Sequence, residues 1–424
     1  MVCHRTSSKD VSVTAEREGS YDLRRLLSRS STYLYTSISL SLLLVFVACS
    51  NNQNQTPPRQ APLSLPTPQP TISIEQADTT ISGLIQSDSF SGSVLYASNG
   101  KVLLDKGYSM ADWKHRVANT PHTQFAIGDL TKGFTALAMM MLQERGKLHV
   151  QDHICTYISN CPSAWQPITI HMLLSLTSGL PGNMNRADLT TTEALPVSTE
   201  RNIIELKNEP LVYPPGAGYG YGNSDSIVLG VIIEKVSGES YADFLRQNIF
   251  APLHMNSTDV ADSAAVVSHI PDLAVGYTSW QQPADNSNLA FLPVYAAASG
   301  IYSTVEDLYL WDQALYTQKL VSQQSLNQMF TGYVNTNEQA FCIGFVPMTT
   351  SGVCPYYGYG WYIGNEAGHK VNENVGFYGG YLSYMQHFPG DNVTIIVLSN
   401  LQNAAISTIS PTLESVRFHL TQGP

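Results

Sequence analysis

No stretch of the 424 residues gathers Lys and Arg into a basic run, and the formal net charge is -11. That argues against a nucleic-acid partner, whose phosphates demand a clustered positive surface. The acidic balance serves solubility. Nor does any apolar run approach the twenty or so residues that a spanning helix needs. The longest candidate, "SISLSLLLVFVACS" at 37–50, is short and Ser-rich. Internal repeats are absent. "GAGYGYG" at 216–222 imitates a phosphate loop, but no strand precedes it and no helix opens at the spacing a dinucleotide requires. His149 and His153 stand four apart after a helix end without a nearby Glu base, a pattern read as two surface histidines rather than a metal site. The sequence therefore predicts no cofactor and no metal.

What is present begins with a leader. Arg24, Arg25 and Arg29 precede the apolar run, which then ends in "VFVAC". This reads as a secretory signal over residues 1–48. A small residue before Cys49 resembles a bacterial lipoprotein signal, in which that Cys is lipidated and becomes the mature N-terminus. The alternative is an uncleaved anchor with a chance Cys. Removing residues 1–48 takes away six Lys/Arg and four Asp/Glu, so the exported part carries 16 minus 29, or -13. Residues 49–71 are rich in Pro, Gln, Asn and Ser and offer little to bury, as expected of an extended tether holding a domain over residues 72–424 off a membrane.

Within that domain, Ile74, Ala77, Ile81, Leu84 and Ile85 follow helical spacing. "GSVLYASNGKVLLDKGYS" at 92–109 gives two strand-like runs around Asn99-Gly100, a hairpin signal. Phe134, Leu137, Ala138, Met141 and Leu142 mark a helix face that stops near Gly146, with Met139 to Met141 as core filler. Further helical patterns cover 225–237 and 240–250. Near the end a second hairpin, 381–400, turns at "PGDN", and "SPTLESVRFHL" suggests a helix with Ser410 as cap and Pro411 in its first turn. Strands and helices at both chain ends, with helices between, predict an α+β fold whose sheet is assembled from the two termini. Of the four cysteines in the domain, proximity favours pairing Cys155 with Cys161 and Cys342 with Cys354; free buried thiols are the alternative.

The segments "FSGSVLYASNGKVLLDKGY", "FAIGDLTKGFTALAMMMLQERGKL", "ITIHMLLSLTSGLPG", "YPPGAGYGYGNSDSIVLG", "AAASGIYSTVEDLYLW" and "YLSYMQHFPGDNVTIIVLSN" occur in an order that resembles the serine β-lactamase and penicillin-binding-protein-like family, over roughly residues 74–420. The resemblance implies an antiparallel sheet flanked by helices plus an all-helical region, with the active site between them. It also implies three motifs. In Ser-x-x-Lys, the two side chains share a helix face, and the Lys helps deprotonate the attacking Ser. Tyr-x-Asn adds a proton carrier and a substrate-binding amide. A strand motif of His or Lys, any residue, then Gly lines the far side, where backbone N–H groups hold the oxyanion.

On this chain the resemblance gives Tyr221, Gly222 and Asn223 for the second motif and Lys132 for the first. Asp129 stands at the position of the family nucleophile. For the third motif, "GHKVNENVGF" at 368–377 offers His369-Lys370-Val371 or Lys370-Val371-Asn372, neither ending in Gly, with His369 as the catalytic candidate and Lys370 as the substrate-binding one. Leu176 replaces a common His. A carboxylate at a helix start gains roughly 0.3 to 1 kcal/mol from the helix dipole when exposed, and Lys132 one turn on adds an opposite charge. That comfort opposes acyl transfer, because negative charge sits where an oxyanion must develop. The reading is an exported, lipid-anchored, degenerate hydrolase whose cleft binds a cell-envelope peptide or small acyl ligand. The alternative is an active esterase, D-amino-acid peptidase or β-lactamase-like hydrolase using Asp129, Lys132 and Tyr221 in a modified mechanism.

Overall fold

The computed structural model describes residues 72–182, 203–263, 266, 269–283, 294–336, 354–366 and 368–420. The leader, the tether, Cys3, Cys49 and Cys342 lie outside these. Helix α1 (Ile74–Gln86) opens on a capping box in which Ser73 and Gln76 satisfy each other's backbone N–H. Strands β1 (Gly92–Ser98) and β2 (Lys101–Tyr108) follow as the expected hairpin. Asn99 and Gly100 both take positive φ, 52° and 74°, the turn that Asn-Gly favours. Helices α2 (Thr131–Glu144), α3 (Ser224–Ser237) and α4 (Val305–Leu315) build the middle of the chain.

Six more strands come from the C-terminal third: β3 (Val334–Asn335), β4 (Tyr356–Tyr357), β5 (Tyr362–Glu366), β6 (His369–Tyr378), β7 (Tyr381–Phe388) and β8 (Val393–Ser399). The sheet runs β3-β4-β5-β6-β7-β8-β1-β2, antiparallel throughout. Its two chain ends meet where β1 pairs β8, with Val94 opposite Val397 and Leu95 opposite Ile396.

Both faces of these central strands are buried, and the period of two assigns residues to separate cores. Val94, Tyr96, Ile395 and Val397 face the layer of α1 and the last helix, α5 (Ile406–Leu420). Leu95, Ala97, Ile396 and Leu398 face the helical middle. Helix α2 lies wholly inside that second core: every residue from Thr131 to Leu142 is buried, including Met139 and Met140, beyond the single face that the periodicity marked.

Helix α5 begins four residues before the expected cap. Ile406, Ile409, Leu413 and Val416 are all buried and form one continuous stripe, and that stripe rather than Ser410 decides where the helix starts. Pro411 is therefore inside the helix, and the Ser410 hydroxyl donates to Glu414 at 2.8 Å instead of capping. Cys155 and Cys161 form a disulfide. The second expected pairing involves Cys342, which lies outside the described residues; Cys354 is a buried thiol whose ionisation burial opposes strongly. No described helix is long and apolar enough to cross a membrane.

Candidate active site

A short 3-10 turn, Gly128–Leu130, feeds directly into α2 and crosses β6. The crossing is tight enough to dictate two glycines. A Cβ at Gly376 would stand 2.1 Å from the Ile127 carbonyl oxygen and 2.9 Å from the Asp129 nitrogen, and one at Gly128, which has φ +52°, would stand 2.7 Å from the Phe377 nitrogen. The backbone of Asp129 thus lies against Gly376. Asn374-Val375-Gly376 is the residue-x-Gly triplet that faces the helix start.

This corrects the expected register of the third motif. His369 sits at the opposite end of β6, seven residues from Gly376, or roughly 23 Å along an extended strand. There its Nδ1 lies 2.7 Å from the Asp391 carboxylate. Lys370 donates to the Phe330 carbonyl oxygen at 3.4 Å. Neither reaches the Asp129 turn. Val371 is core and Asn372 donates to the Tyr316 hydroxyl at 3.2 Å, so no side chain crowds the crossing from those positions. The signal was legible in "ENVGF": Gly376 is the one Gly of the strand, and seeking a basic residue first hid it. Asn374 supplies no charge, and its amide donates to the Gly360 carbonyl oxygen at 2.9 Å.

The other candidates converge. Lys132 Nζ donates to Asp129 Oδ1 in a short ion pair, to Asn223 Oδ1 at 2.9 Å and to the Ala298 carbonyl oxygen at 3.4 Å. Its side chain is 3% exposed and that of Asp129 10%. Lys132 Nζ also lies 5.1 Å from the centroid of the Tyr221 ring, within cation-π range. Asn223 stands at the start of α3 but spends its oxygen on Lys132 rather than on capping. The segment that carries it is pinned by Asn223 N–H to the Gly182 carbonyl oxygen at 2.6 Å and Gly220 N–H to the Leu176 carbonyl oxygen at 3.0 Å. Leu176, at φ +57°, serves through its backbone and packs its side chain in the core beside Tyr221.

Two participants carried no motif. Ser299 Oγ donates to Asp129 Oδ1 at 3.1 Å, and Asp225, two residues after Asn223, is buried beside Lys132 and Ser178. The segment "AAASGIYST" gives no sign that a backbone oxygen and a hydroxyl from it will meet Lys132 and Asp129. Helix 296–299 is drawn there by Thr135, which donates to the Ala297 carbonyl oxygen at 2.7 Å.

Electrostatically the described residues of the site hold one buried cation, Lys132, and two buried carboxylates, Asp129 and Asp225. Burial raises the Asp225 carboxyl to about 7, against the opposing help of Ser178 and Lys132, and its Oδ1 has no hydrogen-bond partner among the described residues. Asp129 takes the ammonium, and Asp225 is the surplus acid. Burial, and next the negative charge of Asp129, hold the Tyr221 hydroxyl well above the usual tyrosine range. Tyr221 is therefore a proton donor. Tyr357 and Tyr362 enclose it, with ring centroids 6.4 Å and 6.3 Å away. The described residues include no group of three or more His, Cys, Asp or Glu able to hold a metal.

Comparison with known proteins places this arrangement. The family description "Beta-lactamase" matches residues 77–408. A Bacillus subtilis relative bearing a penicillin-binding-protein name, PbpX, is 31% identical over 328 residues, spanning 77% of this chain and 74% of that one. A second Bacillus subtilis penicillin-binding protein is 30% identical over 325 residues, 73% of this chain and 68% of that one. Among solved structures, the octameric penicillin-binding protein homologue from Pyrococcus abyssi superposes with a TM-score of 0.67 at 27% identity, covering 83% of this chain and 78% of that one. The β-lactamase/D-alanine carboxypeptidase of Yersinia pestis, at 23% identity and a TM-score of 0.65, covers 83% of this chain and all of that one and shares the fold. The antiparallel sheet with its helical layers is thus a β-lactamase/transpeptidase-like fold.

Proposed function

The chain belongs to the beta-lactamase family, and from that premise we propose that it is an exported, degenerate hydrolase of the penicillin-binding-protein kind. It binds a cell-envelope peptide or small acyl ligand with little or no acyl-enzyme turnover. The observation that carries this reading is the Asp129 carboxylate, at the position of the family nucleophile, accepting from Lys132 and Ser299 on the same oxygen. Two of its roughly four acceptor positions are taken, both on Oδ1. Lys132, which in a Ser-x-x-Lys site would draw a proton from the hydroxyl, is instead the counter-ion of Asp129. Burial and the Asp129 charge keep the Tyr221 hydroxyl protonated. Every part of the proton relay is thereby turned inward, and the fixed negative charge opposes an oxyanion formed beside it. The same geometry works against the modified mechanism, because an Asp129 that must activate water would first have to release these donors.

Binding is the function left to the cleft. Asn223 and Gly376 are retained, and they are the groups that would meet a ligand amide. Export rests on the leader before Cys49, and membrane attachment on lipidation of that Cys.

Intact-protein mass spectrometry after incubation with a penicillin tests the catalytic part. Wild type is expected to remain unmodified, and Asp129→Ser, which restores a hydroxyl next to Lys132 and Tyr221, to acquire partial labelling. A stoichiometric adduct on the wild-type active-site helix would sink the reading in favour of an active hydrolase.

A further inference from the structure

The charges around Lys132 select the sign of a ligand. Its ammonium donates to Asp129 Oδ1, Asn223 Oδ1 and the Ala298 carbonyl oxygen, and an ammonium has three donors in all. Lys132 is also the one buried Lys or Arg among the described residues. On β6 Asn374 carries no charge, and its amide is engaged by the Gly360 carbonyl oxygen. Lys370, at the far end of that strand, donates to the Phe330 carbonyl oxygen. A ligand carboxylate therefore meets no unengaged cation among these groups.

A ligand donor is better served. Both side-chain hydrogen bonds that Asp129 accepts fall on Oδ1, so Oδ2 takes none among the described residues. Of the two paired side chains, Asp129 keeps the greater exposure, 10% against 3% for Lys132. The Tyr221 hydroxyl is neutral and does not cancel the carboxylate charge. Asp225, buried beside the same Lys132, is a second carboxyl with no second buried Lys or Arg to match it. Asn223 is half-buried; its Oδ1 faces Lys132, and its Nδ2 donates to no described residue. One ammonium thus holds the Oδ1 atoms of two neighbouring side chains and leaves each a second polar atom, one a charged acceptor and the other a neutral donor.

We propose that this site recognises a protonated amine next to a carbonyl group, with the ammonium on Asp129 Oδ2 and the carbonyl oxygen on Asn223 Nδ2. A hydrogen bond between an ammonium and a carboxylate is roughly twice as strong as a neutral one. A carboxylate brought to the same oxygen is repelled. The inference rests on the binding function proposed above and names its ligand as the free amino end of a peptide, not its carboxyl end.

The experiment uses the purified protein and three probes of one shape. Alanine anilide, isobutyranilide and methylmalonic acid monoanilide place an ammonium, a methyl group and a carboxylate on the same carbon beside the same amide. At about pH 6.5, below the roughly 7.7 to 8 of an α-amino group, titration calorimetry should rank them in that order. The amine should bind at least tenfold more tightly than isobutyranilide, and the carboxylate most weakly. Asp129→Asn combined with Lys132→Met removes the ion pair without stranding a buried charge, and should bring the amine and isobutyranilide within twofold of each other. Circular dichroism confirms that this variant is folded; if it is not, the ranking on wild type decides alone. Equal affinity of wild type for the amine and isobutyranilide, tighter binding of the carboxylate, or binding of none of the three overturns the ammonium site. So does a tenfold amine preference that survives in the folded variant. Release of aniline from alanine anilide overturns instead the absence of turnover proposed above, and the ratio of KM values then decides the amine preference by the same tenfold margin.

Discussion

Replacing Asp225 by Asn removes the surplus acid of the site without changing its shape, and the consequence is a stability difference that depends on pH. Burial raises this carboxyl from 3.8 to about 7 in the folded chain. Between those values the native state keeps a proton that the unfolded chain releases. The stability tied to that proton is fully present below about pH 4 and lost as pH rises through 7. Some three pKa units at 1.36 kcal/mol each give roughly 4 kcal/mol as the ceiling. The Asp225→Asn side chain has no proton to lose, so the variant should gain on wild type by about 2 to 4 kcal/mol between pH 4 and pH 8. Urea unfolding of both proteins at several pH values in that window measures it, and the comparison cancels every other titrating group as well as any pH-independent cost of the amide. Those other groups include Asp78, Glu144 and Asp152, whose pKa values lie below their ordinary ones and whose stabilising effect is lost at acid pH in both proteins alike. A wild-type minus variant difference that stays flat from pH 4 to pH 8 would refute the assignment of one cation to Asp129 and a neutral Asp225.

Two further perturbations address the frame that holds the site. Gly376→Ala should cost at least about 2 kcal/mol and abolish any labelling gained by Asp129→Ser, since the new Cβ meets the Ile127 carbonyl oxygen at 2.1 Å and strand and turn must part; denaturant melts and mass spectrometry of the double variant read both. Changing Cys155 and Cys161 to Ser opens a loop of sequence separation 6 and should cost about 2 kcal/mol on the chain-entropy account, measured as a shift in the denaturant midpoint.

Local periodicity carried far in this chain because its elements are consistent with their own patterns. Asn99-Gly100 takes the hairpin turn, and α1 is capped by Ser73 and Gln76. The sheet joins strands from both ends of the chain as their hydrophobic content requires. The failures have a common cause, which is that a short signal was preferred to a longer physical constraint. At α5 a Ser-Pro pair looked like a helix start, but four apolar positions from Ile406 to Val416 bury one face and outweigh a single cap. At β6 the basic pair His369-Lys370 drew the third motif to the wrong end, whereas steric contact with the Asp129 turn fixes it at the Gly. Ser299, Asp225 and the Ala298 carbonyl oxygen were not legible at all, because they reach Asp129 or Lys132 through the packing of separate elements rather than through spacing along one.

These corrections sharpen the chemical argument. On the reading proposed above, Gly376 keeps strand and turn in close backbone approach at the crossing, and the departures from the family pattern are two side chains: Asp129 in place of a hydroxyl, and Asn374 in place of a basic group. Both lower the positive charge facing the cleft, one by adding an anion and the other by omitting a cation. A buried cation without a partner costs several kcal/mol. A buried Lys132 therefore needs something to neutralise it, and the carboxylate one helical turn before it does so. The same ion pair that stabilises the core of the site also removes its base, which is why restoring Ser alone is expected to recover labelling only in part: Asn374 still leaves the far wall without its charge.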